Sequence, residues 1–351
     1  MYKDSPFEEP FYMEKLIQDI IKKKKESFSG SETEYEEFLD QKMPEFIRDI
    51  SVGVLETTFN YCLSSKSDLK NYEKKVAKRI SHKYGTGIKF FEAFLELNSK
   101  ISSNTYAKWF NQFNTIEDHV KLDTLIANHV RACQVANEVL VLIKNGFADG
   151  AHARWRTLHE ICITFLYLYD SSYTVIEMYN DYFAIERWKK AKEYQENCVK
   201  LEWEPLANSE LSSLESEKNR IIEKYGNAFA KPYGWTMNDL PSGQRNIREL
   251  EKLVEMGHFH TIYAWSSENI HSGVSGIKYR LSLKDDEQNH FLMGPNDTGF
   301  LDPVQFTSYS LTEMSKTLLH MENSFMNKIM EELLFLFQNE LVKEFSKQEP
   351  Q

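Results

Sequence analysis

Phe147–Asp170 reads FADGAHARWRTLHEICITFLYLYD, and its two halves differ in character. The second half, Ile161–Tyr169, is apolar on every face, a pattern an α-helix carries when protein surrounds it. The first half holds His152, Arg154, Arg156, His159 and Glu160. At about 100° per residue, Arg156 and Glu160 lie about 40° apart, and His152 and His159 fall within about 20° of each other on nearly the same side. Trp155, Leu158, Cys162 and Phe165 take the adjoining stripe and should face a core. One side of an otherwise buried helix therefore concentrates a guanidinium, a carboxylate and two imidazoles.

The flanking sequence is helical too. Upstream, Leu122, Ile126, His129, Cys133, Ala136, Leu140 and Ile143 recur at steps of four and three within Thr115–Asn145, the stripe of an amphipathic helix. Gly146 follows where a left-handed cap is expected. His129 lies on the apolar stripe and reads as a core histidine. Leu311, Met314, Leu318, Met321 and Phe325 repeat the period near the C-terminus, and Leu333–Phe337 is apolar all round, which predicts a buried turn or a partner surface such as a homodimer contact. Further helices are predicted over Glu9–Ser27, Glu34–Leu63, Asp68–Tyr84 (capped by Ser67), Ile88–Asn98, Val175–Gln195, Glu210–Lys224, Gln244–Met256 and His258–Ser272. Gly85–Gly87 is read as a break. Ala230–Pro241 reads as an ordered loop carrying Trp235. Only Tyr279, Leu281 and Leu283 alternate with polar neighbours, so one small β-hairpin is expected near Lys278–Met293.

The expected fold is all-α: a multi-helix bundle, with residues 1–110 as an N-terminal helical layer and residues 111–351 as a core domain. Composition agrees. Only 14 Gly and 9 Pro stand in 351 residues, too few turn-formers for a sandwich or barrel of short strands. No run of 18 uncharged apolar residues predicts a membrane span, and MYKDSPFEEPF is not a signal peptide. Cys62, Cys133, Cys162 and Cys198 form no CxxC pair and read as buried thiols of a cytoplasmic protein. The net charge of −11 disfavours broad nucleic-acid or anionic-membrane binding. Lys22–Lys25, the one dense basic run, reads as a solvated helix end.

Chemistry is sought where charges are buried. Arg156 and Glu160, at i and i+4, read either as an internal ion pair fixing helix register or as part of a site. In HFHTIYAWSSENIHSGVSG, His258–Gly276, a stripe runs through His260, Ala264, Ser267 and His271, with Gly273 as the stop. His271 reads either as a helix C-terminal cation or as a site residue. Ser267, His271 and Glu160 could mimic a nucleophile–base–orienter set, but a nucleophile in mid-helix lacks the strained elbow and oxyanion donors. His152, His159, Glu160, His260 and His271 carry metal-ligand chemistry without HExxH spacing, so no metal is expected. No GxxxxGK[ST] or GxGxxG motif occurs, and no cofactor is expected.

RTLHE at Arg156–Glu160, the apolar ICITFLYL after it, YGW at Tyr233–Trp235 and SSENIHSG at Ser266–Gly273 stand in order. As an ordered set, from roughly Leu122 to Leu336, they resemble the prokaryotic domain-of-unknown-function family numbered fifty-six seventy-seven. That resemblance implies an all-helical intracellular protein of bacteria or archaea, with Arg156, Glu160, Ser267 and His271 as matching positions and no activity to carry over. Arg154-x4-His159 also resembles the Arg-x(4–6)-His signature of the HEPN ribonucleases of toxin and phage-defence systems. It implies metal-independent RNA cleavage, in which an arginine stabilises phosphorane charge and a histidine moves a proton. Trp155 departs from that signature, where a polar residue is usual. The candidate catalytic residues are thus Arg154, Arg156, His159, Glu160, Ser267 and His271. Two functions follow: a ribonuclease of the defence or toxin type, or a non-catalytic helical sensor or adaptor whose Arg–Glu–His cluster is an internal pin or binds a small anionic ligand.

Overall fold

The computed structural model describes residues 12–63, 68–271, 273–283 and 292–348. Twelve α-helices run through them: α1 (Tyr12–Glu26), α2 (Glu32–Leu63), α3 (Asp68–Phe110), α4 (Ile116–Lys144), α5 (Ala148–Asp170), α6 (Tyr173–Asn197), α7 (Asn208–Tyr225), α8 (Ile247–Leu253), α9 (His260–Glu268), α10 (Val274–Lys278), α11 (Leu301–Leu319) and α12 (Phe325–Ser346). No strand is present among the described residues, and none of these helices is long and apolar enough to cross a membrane. The fold is all-α. The described ends of the expected hairpin are a helix end, a turn and a loop, while 284–291 lie outside the described residues, as does Ser67.

The centre is α5. It packs on α4 along one side and on α11 along another, with α8 and α9 across its polar flank. Trp155, Leu158, Cys162, Ile163, Phe165 and Leu168 are fully buried there, as the apolar stripe requires. Thr115 caps α4 by accepting the Asp118 N–H at 3.0 Å, and Gly146 ends it with φ +86°. Cys133, Cys162 and Cys198 are buried free thiols.

Two expectations about helix ends are corrected. Gly85–Gly87 does not break the chain: α3 runs unbroken from Asp68 to Phe110. The glycine serves packing, since a Cβ on Gly87 would lie 2.7 Å from the ring of buried Phe345 on α12. A helix interior tolerates Gly at about 1 kcal/mol, and the close approach of α12 offsets that. Through this face α3 shares the core with α4, α11 and α12. The second correction concerns α9, which ends at Glu268 and not at Ser272. Gly273, with φ −70°, caps the start of α10.

α1 and α2 pack mainly on each other. The basic end of α1 meets acids of α2, Lys24 at Asp49 (2.7 Å) and Lys25 at Glu32. Ser31 and Glu34 bond reciprocally at the start of α2, a capping box. Within Leu333–Phe337, Leu334 is buried while Phe335 and Leu336 are about half exposed.

Several buried polar groups in this core are held in place by specific bonds. His129 is fully buried, with Nδ1 2.5 Å from Ser102 Oγ and Nε2 2.7 Å from Ser315 Oγ. Ser315 in turn donates to Asn98 Oδ1 at 2.6 Å. His129 therefore donates from Nε2 and accepts at Nδ1, in its neutral form. Burial pushes both His129 and His152 down to about 4. An unfolded chain takes up these protons near pH 6.5, the folded chain only near 4, so stability falls as pH drops from 6.5 toward 4, by up to about 3 kcal/mol per histidine. Thermal melts should decline already between pH 6.5 and 5, above the ordinary carboxylate range. His129→Gln, which cannot titrate, should flatten that slope; an unchanged slope in this variant would contradict the assignment.

An Arg–Tyr–Glu and His–Glu–His cluster

Arg154 and Arg156 leave α5 two residues apart, hence about 200° apart around the helix, and meet different neighbours. Arg154 turns to α4, where its Nε pairs with Glu138, while its Nη1 donates to Thr157 Oγ1 on α5 itself at 3.2 Å. Arg156 turns to α9. Its Nη2 donates to the Tyr263 hydroxyl at 2.6 Å and lies 3.1 Å from Glu160 Oε1. The Tyr263 hydroxyl donates to that same Glu160 oxygen at 2.6 Å. The guanidinium also sits 4.7 Å from the Tyr263 ring centroid, within cation–π range. Burial, and then the Glu160 carboxylate beside it, hold the Tyr263 hydroxyl far above its usual titration range. The same two causes push Tyr233, from the YGW segment, up to about 12.

One residue before Glu160, His159 is fully buried. Its Nε2 lies 2.8 Å from Glu251 Oε1. Glu251, on α8, is also fully buried, and its second oxygen is 2.7 Å from His260 Nδ1 at the start of α9. An ionised carboxylate only accepts, so both imidazoles donate to it. His159 Nδ1 is then left buried without a partner. The rings of Trp155, Phe259 and Tyr263 enclose His159 at 5.2, 6.1 and 5.7 Å. The cluster ties α5 to α8 and α9 through three hydrogen bonds, and a fourth joins α8 to α9.

Among the sequence-derived candidates, Arg156 and Glu160 are brought together, with Tyr263 between them. His159 lies beside them on a separate carboxylate. Arg154 stands apart on Glu138. Ser267 turns its hydroxyl back to the Tyr263 carbonyl at 2.8 Å, an ordinary bond within a helix. His271 lies beyond the end of α9 and is exposed, because the helical stripe that would have carried it stops at Glu268. His152 is buried and stacks on Trp155 at 5.7 Å, with no partner for Nε2. Among the described residues, no three His, Cys, Asp or Glu side chains are grouped to hold a metal ion.

Sequence reasoning missed Glu251 and Tyr263. Glu251 sits in RELEKL, where it looks like any charged residue of a short amphipathic helix. Tyr263 precedes Ser267 by one turn and carries no motif signal of its own.

Residues 122–290 match the model of DUF5677, a family of unknown function. No curated protein and no solved structure matches the chain.

Proposed function

We propose that this chain, whose residues 122–290 match the model of that family of unknown function, is a non-catalytic helical sensor or adaptor, with the Arg156–Tyr263–Glu160 and His159–Glu251–His260 cluster as its internal pin. The observation that carries this reading is that protein groups already engage the candidate residues: Arg154 is held by Glu138, Arg156 by Glu160 and Tyr263, and His159 by Glu251, while Arg156 Nε and His159 Nδ1 are enclosed without a partner.

Access points the same way. His159 has no exposed surface, so an RNA 2′-hydroxyl has no route to it, and general acid–base chemistry needs contact within hydrogen-bond reach.

A double-mutant cycle tests the pin. Arg156→Ala and Glu160→Ala, singly and together, are to be unfolded in urea. The expected coupling lies between about 0.5 and 3 kcal/mol, as for residues in contact. Purified wild-type chain should leave a structured and an unstructured RNA intact. RNA cleavage that disappears in a fully folded Arg156→Ala variant would replace this reading with the ribonuclease one.

A further inference from the structure

One cleft opens beside the pinned cluster. It has a volume of about 330 Å³ and lies between α11, α12 and the turn that precedes α9. That is within the range of small-molecule sites, about 300–1,000 Å³. Phe259, Phe306 and Tyr309 form its aromatic side, Gln305, Gln338 and Asn339 supply primary amides, and Val342 and Lys343 complete the lining.

Three features of this lining define what fits. The rings meet at an angle: Phe259 lies 4.6 Å from Tyr309, and is perpendicular to Phe306 at 6.1 Å. A flat ligand can stack on one ring while its edge meets another, both favourable geometries for π systems. The amides of Gln305, Gln338 and Asn339 have no hydrogen-bond partner among the described residues, so donors and acceptors remain free on both helices. Side-chain amides are suited to the mixed donor–acceptor edge of a nucleobase. Finally, the lining contains no carboxylate, in a chain with 53 Asp and Glu. Its one cation, Lys343, is occupied by both oxygens of Glu340 at 2.8 and 3.0 Å. The lining is therefore close to neutral.

We propose that this cleft binds a neutral heteroaromatic ring of nucleobase type, as a free base or nucleoside, stacked against the Phe259–Phe306–Tyr309 side and read by the Gln305, Gln338 and Asn339 amides. The proposal rests on the sensor reading and names its ligand class. The cleft is coupled to the pin through shared residues. Phe259 packs on His159, and Phe306 lies 5.2 Å from the Trp155 indole.

That last contact supplies the readout. Intrinsic tryptophan emission of the full chain is titrated with adenosine, guanosine, cytidine and uridine, then with their 5′-monophosphates, and binding is confirmed by calorimetry. At least one nucleoside should bind with Kd below about 1 mM, that is more favourably than about −4 kcal/mol, and its monophosphate should bind no tighter. Gln338→Ala should weaken that binding at least tenfold, and Val342→Trp, which fills the cleft from a partly exposed position, should abolish it. No binding by any nucleoside, a monophosphate more than tenfold tighter than its nucleoside, or undiminished binding by Val342→Trp overturns the proposal. RNA digestion, assayed separately, overturns the sensor reading instead, so the two can fail independently.

Discussion

His159→Ala should lower the stability of the fold by about 3–5 kcal/mol, the range found when a buried charge loses its partner. The reason lies in Glu251. Its carboxylate has no exposed surface, and both oxygens are satisfied by imidazole nitrogens, at 2.8 Å from His159 and 2.7 Å from His260. Removing His159 leaves one oxygen without a donor in a site walled by Trp155, Phe259 and Tyr263. Water cannot replace the bond without opening that wall. His159 and Glu251 exchanged together for Leu should recover part of the loss, since well-packed apolar groups can substitute for a buried pair. Urea or thermal unfolding, followed by circular dichroism, measures both variants. A His159→Ala chain that unfolds at the wild-type midpoint would show that the pin contributes nothing.

Gly234→Ala has an effect of similar size from a different cause. Gly234 opens the short turn Gly234–Thr236 of the YGW segment. A Cβ there would stand 1.8 Å from the Phe229 carbonyl oxygen and 2.6 Å from its carbon. These are backbone atoms of a buried residue and cannot swing aside. The turn carries Trp235, which meets Tyr167 and Tyr179 edge-on at 5.6 and 5.1 Å. Moving the backbone to admit one methyl group therefore displaces a buried indole from α5 and α6. The expected cost is about 3 kcal/mol or more, at the upper end for overpacking, and is read as lost soluble yield and a lowered melting temperature. The neighbouring Thr236→Ser keeps the hydroxyl that bonds the Tyr233 carbonyl at 2.8 Å and should stay near wild type. Equal stability of the Gly234→Ala chain would contradict the close approach.

The readable part of this molecule is the part governed by short range. The α4 stripe, its Gly146 cap and the enclosed second half of α5 follow from one helix turn to the next. So does the Arg156–Glu160 pair, because i and i+4 share a face whatever the rest of the chain does. Most of the misread parts involve a distant partner. Gly85 and Gly87 look like breakers until Phe345, far along the chain, is laid against Gly87. Arg154 and His159 look like a matched pair in RWRTLH, yet α4 takes the first and α8 the second. His271 looks like the next member of a stripe, but α9 stops short of it.

Sequence alone determined that this chain is helical, which faces are apolar, and that α5 sets ionisable groups beside its apolar stripe. Periodicity and composition are local properties, and they suffice for that. Only tertiary structure decided which partners those groups find, because an ionisable group takes its meaning from the nearest opposite charge or dipole, here Glu251 for His159 and Tyr263 for Arg156. Those partners stand 92 and 107 residues away in the chain. At that separation pairing is set by how helices pack, not by any spacing a linear reading can register.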